Sequence, residues 1–207
     1  MTTVNGSRAA ARRRAMGESR FQECFGLFAE ALLTGVWIAL AALPLVTYPA
    51  AFAAGARHLR RHLSHRPAGF RQFAADVRVA SRRGWLVGVA GWLACWLIRL
   101  DLTAVREGLP GGPLVGAAGV LALCGAVVAG LRAAAVWEPG ASWRALLAAA
   151  GRRTVLDPAG SFLLVGGVVV VAVSAWAVLP LAVPVLGAVA AGAVAVEERY
   201  GRRAVAP

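Results

Sequence analysis

Long apolar runs alternate with short arginine-rich segments along this chain, and that alternation predicts its elements. FGLFAEALLTGVWIALAAL (25–43) is the first run, long enough as a helix to cross a hydrocarbon layer of about 30 Å. GWLVGVAGWLACWLIRL (84–100), LVGAAGVLALCGAVVAGL (114–131) and SFLLVGGVVVVAVSAWAVL (161–179) follow, and VLGAVAAGAVAV leads into a polar tail, EERYGRR. Asp157-Pro158, ahead of the fourth run, reads as an N-cap followed by proline at the first helical position.

Topology turns on residues 37–66, WIALAALPLVTYPAAFAAGARHLRRHLSHR. An unbroken helix from 25 to 56 would be about 48 Å long, far more than the hydrocarbon requires. Proline lacks the N–H donor and disfavours helix in the residue before it, so the chain is expected to break at Leu43-Pro44. Pro44, Thr47 and Pro49 then form a hairpin turn into a short returning helix, 48–63. Arg57, Arg60 and Arg61 of that helix would snorkel to the headgroups along their alkyl stems.

Charge favours the same reading. All 22 basic residues are arginine, and the net charge is +12. A single crossing at 25–56 would put Arg8, Arg12, Arg13, Arg14 and Arg20 opposite the eight arginines between Arg57 and Arg83, against the cytoplasmic bias of such residues. Two crossings place 20 of the 22 on one side and leave Arg99 and Arg106 opposite, beside Asp101 and Glu107. The fold class expected is therefore all-α: a polytopic membrane helix bundle of six spans in three hairpins, with both termini cytoplasmic. The spans fall at 25–43, 48–63, 84–100, 114–131, 159–179 and 183–197. A basic segment (1–24) precedes this single membrane domain (25–197), and a short tail (198–207) follows it. The early arginines, the first apolar run and AFAAGA imitate a signal peptide. The run is already span-length by Leu43 and more spans follow, so retention is expected.

Two devices recur. LPLVTYPAAFAAGA (43–56) is echoed by LPLAVPVLGAVAAGA (179–193), which predicts a second hairpin turn at Pro180 and Pro184. RPAGFRQFAADVRVASRR (66–83) and EPGASWRALLAAAGRR (138–153) both end in paired arginine, and amphipathic cytoplasmic helices are expected at 67–83 and 140–153. In the first, Phe70, Phe73 and Val77 share one face while Arg71, Arg78 and Arg82 share another. Such a helix lies on a membrane surface, docks a partner, or packs its phenylalanines beneath its own bundle. Arg57, Arg60, Arg61, Arg71, Arg78, Arg82, Phe70 and Phe73 are thus the candidate lipid or partner face.

Composition narrows the chemistry. With 59% hydrophobic residues, a water-soluble fold is the weaker expectation. The excess of Ala, Gly, Val and Arg suits a GC-rich bacterial genome, and the location expected is the bacterial cytoplasmic membrane. Cys24, Cys95 and Cys124 lie too far apart for a metal site or a disulfide framework and read as small hydrophobes. His58, His62 and His65 follow helical spacing, but the arginines around them repel cations and no carboxylate lies nearby in sequence. No metal and no cofactor is expected, and a pH-sensitive contact suits the row better. Basic charge split among four span ends points to anionic headgroups rather than nucleic acid. Small-residue pairs such as Gly84/Gly88, Gly112/Gly116 and Ala188/Gly192 permit close helix approach, and a homo-oligomer stays among the expected partners.

Glu30 is the ionisable residue well inside an apolar run, with Thr34 one turn on along the same face. It would serve a proton or cation, or pair with a cytoplasmic arginine. HExxH, GxSxG and P-loop patterns are absent, so no enzyme is expected.

Trp37 in the first span, Leu43-Pro44-Leu45-Val46-Thr47, an Ala-rich helix, an arginine cluster and the FRQF segment follow one another between residues 21 and 100. In that order they resemble the YesL-like family of bacterial multi-pass membrane proteins, whose domain has no established activity. Thr34 stands where the family usually carries Asn, and Tyr48 where it carries a small residue. The resemblance implies an accessory role beside an ABC-type oligosaccharide importer. The competing expectation is a small oligomeric transporter or channel built around Glu30.

Overall fold

The computed structural model describes Gln22, residues 25–107 and residues 111–205, and these described residues hold helices and no strand. The basic segment 1–24, Gln22 apart, lies outside them, with its five arginines and Cys24. The helices are α1 (Phe25–Ala41), α2 (Tyr48–Leu63), α3 (Phe70–Arg106), α4 (Gly112–Ala135), α5 (Trp143–Leu156), α6 (Pro158–Ala177) and α7 (Leu179–Val205). Four of them, α3, α4, α6 and α7, contain stretches long and apolar enough to cross a membrane, and α1 is a shorter apolar helix. Bulky apolar side chains face outward over their length, among them Trp92 and Trp96 on α3, Leu114 and Leu121 on α4, and Phe162 and Trp176 on α6. A surface so apolar is at home in lipid, not in water.

Neighbouring helices run antiparallel. Glu30 of α1 meets His58 of α2, while Ile38 and Thr34 pack on Gly55. Along α3, Asp76 faces Arg57 and Arg61, and Trp92 donates to the Leu45 carbonyl at 3.3 Å. Gly112 and Gly116 of α4 abut Val105 of α3, and Gly167 of α6 faces Val189 of α7. In consequence α1, α3 and α6 point one way and α2, α4 and α7 the other.

The first hairpin forms where the prolines place it. Residues 42–47 make the turn, and the Thr47 hydroxyl donates to the Ala41 carbonyl at 2.6 Å, closing α1 while Thr47 starts α2. Pro49 enters the first turn of α2, where its missing N–H has no acceptor to lose. The second hairpin differs from expectation. The chain turns at Val178, α7 already runs from Leu179, and Pro184 lies inside it. Pro180 needs no turn because it too falls among the first helical residues, whose N–H groups have no intrahelical acceptor.

α2 is the central helix rather than a lipid-facing one. Residues 49–56, with His58 and Leu59, are buried. Its alanines let α1, α3, α4 and α7 close around it, which explains why a helix of such modest hydropathy lies at the middle. The segment expected as a separate amphipathic helix at 67–83 is continuous with the span that follows: α3 is one helix of 37 residues. At 1.5 Å per residue it is about 55 Å long, roughly twice a hydrocarbon core. α5, by contrast, is a separate helix close to the expected 140–153. Asp157 caps α6, its carboxylate accepting from the Gly160 N–H.

Candidate functional site

The end of the bundle where α2, α4 and α7 finish carries every described arginine except Arg99 and Arg106, and three polar clusters bind its helices together. The first lies between α1 and α2. His58, buried, bonds through Nε2 to the Glu30 carboxylate at 2.6 Å, and the Trp37 ring stands edge-on to the imidazole with centroids 5.0 Å apart. Trp37 also meets Phe70 and Phe73, each at 5.5 Å, so an aromatic cluster from α1 and α3 covers the pair. Thr34 donates to the Glu30 backbone carbonyl at 2.7 Å, so it does not touch that carboxylate. Glu30 therefore pairs with a histidine and not with the arginine that its position suggests.

The second cluster joins the C-terminal end of α2 to α3 and to the loop after α4. Asp76, buried on α3, accepts from Arg57 and from Arg61 at 3.2 Å. Glu138 accepts from Arg57 and Arg60 at 2.8 Å each. Arg60 also donates to the carbonyl of Ala135, which α4 leaves without an intrahelical donor as it ends, and to that of Trp137 just past the helix. The guanidiniums expected to snorkel into headgroups turn inward instead, since two carboxylates and these carbonyls lie within their reach. The face proposed for lipid or a partner divides accordingly: Arg57, Arg60, Arg61 and Phe73 are engaged, while Arg71, Arg78, Arg82 and Phe70 stay exposed.

The third cluster is the most enclosed. Arg132, fully buried at the end of α4, donates to Asp157 at 2.9 Å and to Glu197 at 3.0 Å. Arg153 of α5 pairs with the same Glu197, and Arg199 of α7 reaches Asp157 at 3.1 Å. One guanidinium thus ties α4 to the start of α6 and to α7. Burial pushes the Asp157 carboxyl up, but the Arg132 hydrogen bond, the Gly160 N–H and the charges of Arg199 and Arg132 outweigh it and hold that carboxyl below its ordinary value.

Sequence reasoning missed Asp76, Arg132, Glu138, Asp157 as an ion-pair partner, and Glu197. The signal it passed over is simple: acids are scarce beside so many arginines, and an acid in such company is usually paired. Glu198 apart, each described acid at this end has an arginine or histidine partner. The histidine row does not act as a unit. His58 is buried, and His65 adopts a left-handed backbone (φ 52°) that ends α2, with Arg66 N–H returning to the Arg61 carbonyl at 2.9 Å. Among the described residues no group of His, Cys, Asp and Glu is arranged to hold a metal.

Arg66, Arg71, Arg78, Arg82, Arg83, Arg144, Arg152, Arg202 and Arg203 are exposed at this end and have no carboxylate partner among the described residues. At the far end, Arg99 and Arg106 are exposed as well. The result is an apolar bundle with one strongly cationic cap. No family model, no curated protein and no solved structure matches this chain.

Proposed function

We propose that the protein is a non-enzymatic accessory protein of the bacterial cytoplasmic membrane. It crosses six times, through α1, α2, α3, α4, α6 and α7, and keeps both termini and the cationic cap in the cytoplasm. One observation carries this reading: 15 of the 17 described arginines gather at a single end of an otherwise lipid-facing bundle. A short α2 suits a span because its neighbours, not lipid, surround it. The unpaired arginines form a platform for anionic headgroups or for an acidic face on a cytoplasmic partner. The likeness of residues 21–100 to the YesL-like pattern favours components of an oligosaccharide importer as that partner.

Cysteine accessibility in a cysteine-free background tests the architecture. Ser64→Cys should react with a membrane-impermeant maleimide only from the cytoplasmic side, and Glu107→Cys only from outside. Reaction of Ser64→Cys from the outer side would overturn the six-span reading. Co-purification with importer subunits, and slower sugar uptake on deletion, test the role.

The partly buried Glu30–His58 pair favours a second reading, a small oligomeric transporter or channel. Ion or proton flux into liposomes that is equal for wild type and Glu30→Gln would remove it.

A further inference from the structure

On the cationic cap, between α3 and the loop joining α4 to α5, lies a recess of about 270 Å³. Val79, Arg82, Arg83, Trp137, Gly140 and Trp143 line it. The two indoles are buried and stacked, 6.5 Å between centroids and 23° apart in plane, so they make a rigid wall. Trp143 is held there because Gly84 of α3 leaves room for its ring: a Cβ at that position would stand 3.3 Å from it. Gly140 takes φ +89°, a conformation that side-chain-bearing residues rarely adopt, and so shapes the rim.

The lining is rich in donors and contains no acidic side chain. Arg82 and Arg83 have no carboxylate partner among the described residues, and the acid at the mouth of the loop, Glu138, is already taken by Arg57 and Arg60. Two guanidiniums in reach of one small space suit a phosphate, whose oxygens accept their forked N–H groups. A quaternary ammonium would find the indole faces attractive, but the same two positive charges repel it.

Position identifies the source of that phosphate. Two and three residues after Arg83, Trp85 and Leu86 begin the exposed apolar surface of α3. The recess therefore sits at the level where a lipid-facing surface gives way to a charged one, which is where headgroup phosphates lie. We propose that it is a binding site for the phosphodiester of an anionic phospholipid, seated between Arg82 and Arg83 with its glycerol against the Trp137–Trp143 wall. This rests on the membrane reading above and adds one discrete lipid site to the diffuse basic platform.

Native mass spectrometry of the full chain, released from mild detergent after titration with phosphatidylglycerol or phosphatidylcholine, tests it. Wild type should retain one phosphatidylglycerol and no phosphatidylcholine. Arg82→Gln/Arg83→Gln should bind phosphatidylglycerol at least about ten-fold more weakly, with its thermal melt unchanged because both side chains are exposed. Arg202→Gln/Arg203→Gln, which removes the same charge elsewhere on the cap, should retain the lipid. Equal weakening by both double variants would show that binding is diffuse and overturn the site. Displacement of the lipid by millimolar inorganic phosphate would overturn the lipid as ligand. Either failure, with one-sided labelling of Ser64→Cys intact, leaves the six-span architecture standing.

Discussion

At the scale of single residues, Arg132 bears the heaviest duty. A fully buried guanidinium is costly unless it is paired, and here Asp157 and Glu197 accept from its two terminal nitrogens while Nε has no partner among the described residues. Arg132→Met should lower stability by about 3–5 kcal/mol, because Asp157 and Glu197 would keep only their outer partners, Arg199 and Arg153. Arg132→Lys should rescue little, since one ammonium does not reproduce two diverging N–H donors. Thermal unfolding in detergent reads both, and a near-wild-type melt for Arg132→Met would show that Arg132 does not clamp these helices. Asp157 adds a pH signature. Its folded carboxyl is more acidic than the unfolded one, so its contribution is complete above about pH 4 and fades as pH falls through the folded value. Asp157→Asn can still cap α6 but cannot pair with Arg132 and Arg199 as an ion. Its melting temperature should be lower near neutrality and flatter below pH 4 than that of wild type.

At the scale of elements, glycine decides which helices touch. Gly35 of α1 and Gly187 of α7 cross backbone to backbone: a Cβ on Gly187 would run into the Ala31 carbonyl, and one on Gly35 into the Val183 carbonyl. Alanine normally favours a helix over glycine by roughly 0.5–1 kcal/mol. At Gly187 the sign should reverse, with Gly187→Ala costing about 1–3 kcal/mol as α1 is levered off α7. Gly125 of α4 has open space around it, so Gly125→Ala should be neutral or slightly stabilising. A matched pair of melts checks the contrast, and equal shifts would refute the crossing. The same logic explains the AAGA echo in α2 and α7. It does not mark two like turns; it supplies a small, buried surface to each helix, with Ala53, Ala54 and Ala56 of α2 and Ala190 and Ala193 of α7 fully enclosed.

At the scale of the whole molecule, helix length and burial sort the chain into zones. α3 exceeds the hydrocarbon by about 25 Å, so its first four turns should stand in the aqueous cap while residues 85–103 lie in lipid. Hydrogen exchange in lipid nanodiscs should follow this order: residues 70–82 exchange measurably, residues 85–103 slowly, and residues 50–56 of the central α2 slowest of all. Fast exchange at 50–56 would show that α2 is peripheral and remove the scaffold on which the three clusters are hung. The unequal ends matter as much as the middle: a cationic cap, opposite an end where Arg99 and Arg106 are balanced by Asp101 and Glu107, should favour one orientation in a membrane.

What the sequence determined on its own is what depends on local composition. Apolar runs set the long helices, the Leu43-Pro44 and Thr47-Tyr48-Pro49 steps set the first hairpin, Asp157-Pro158 set the start of α6, and the arginine distribution set the charged end. Hydropathy and proline act through neighbours in the chain, so reading along it suffices. Only the tertiary structure decided that α2 is central, that 67–83 and 84–100 are one helix, that Pro184 stays inside α7, and that Glu30 meets His58. Those outcomes depend on pairs 28 to 81 residues apart, from Glu30–His58 to Arg57–Glu138. A charge's partner is chosen by which helix ends are brought side by side, and no spacing along the chain records that choice.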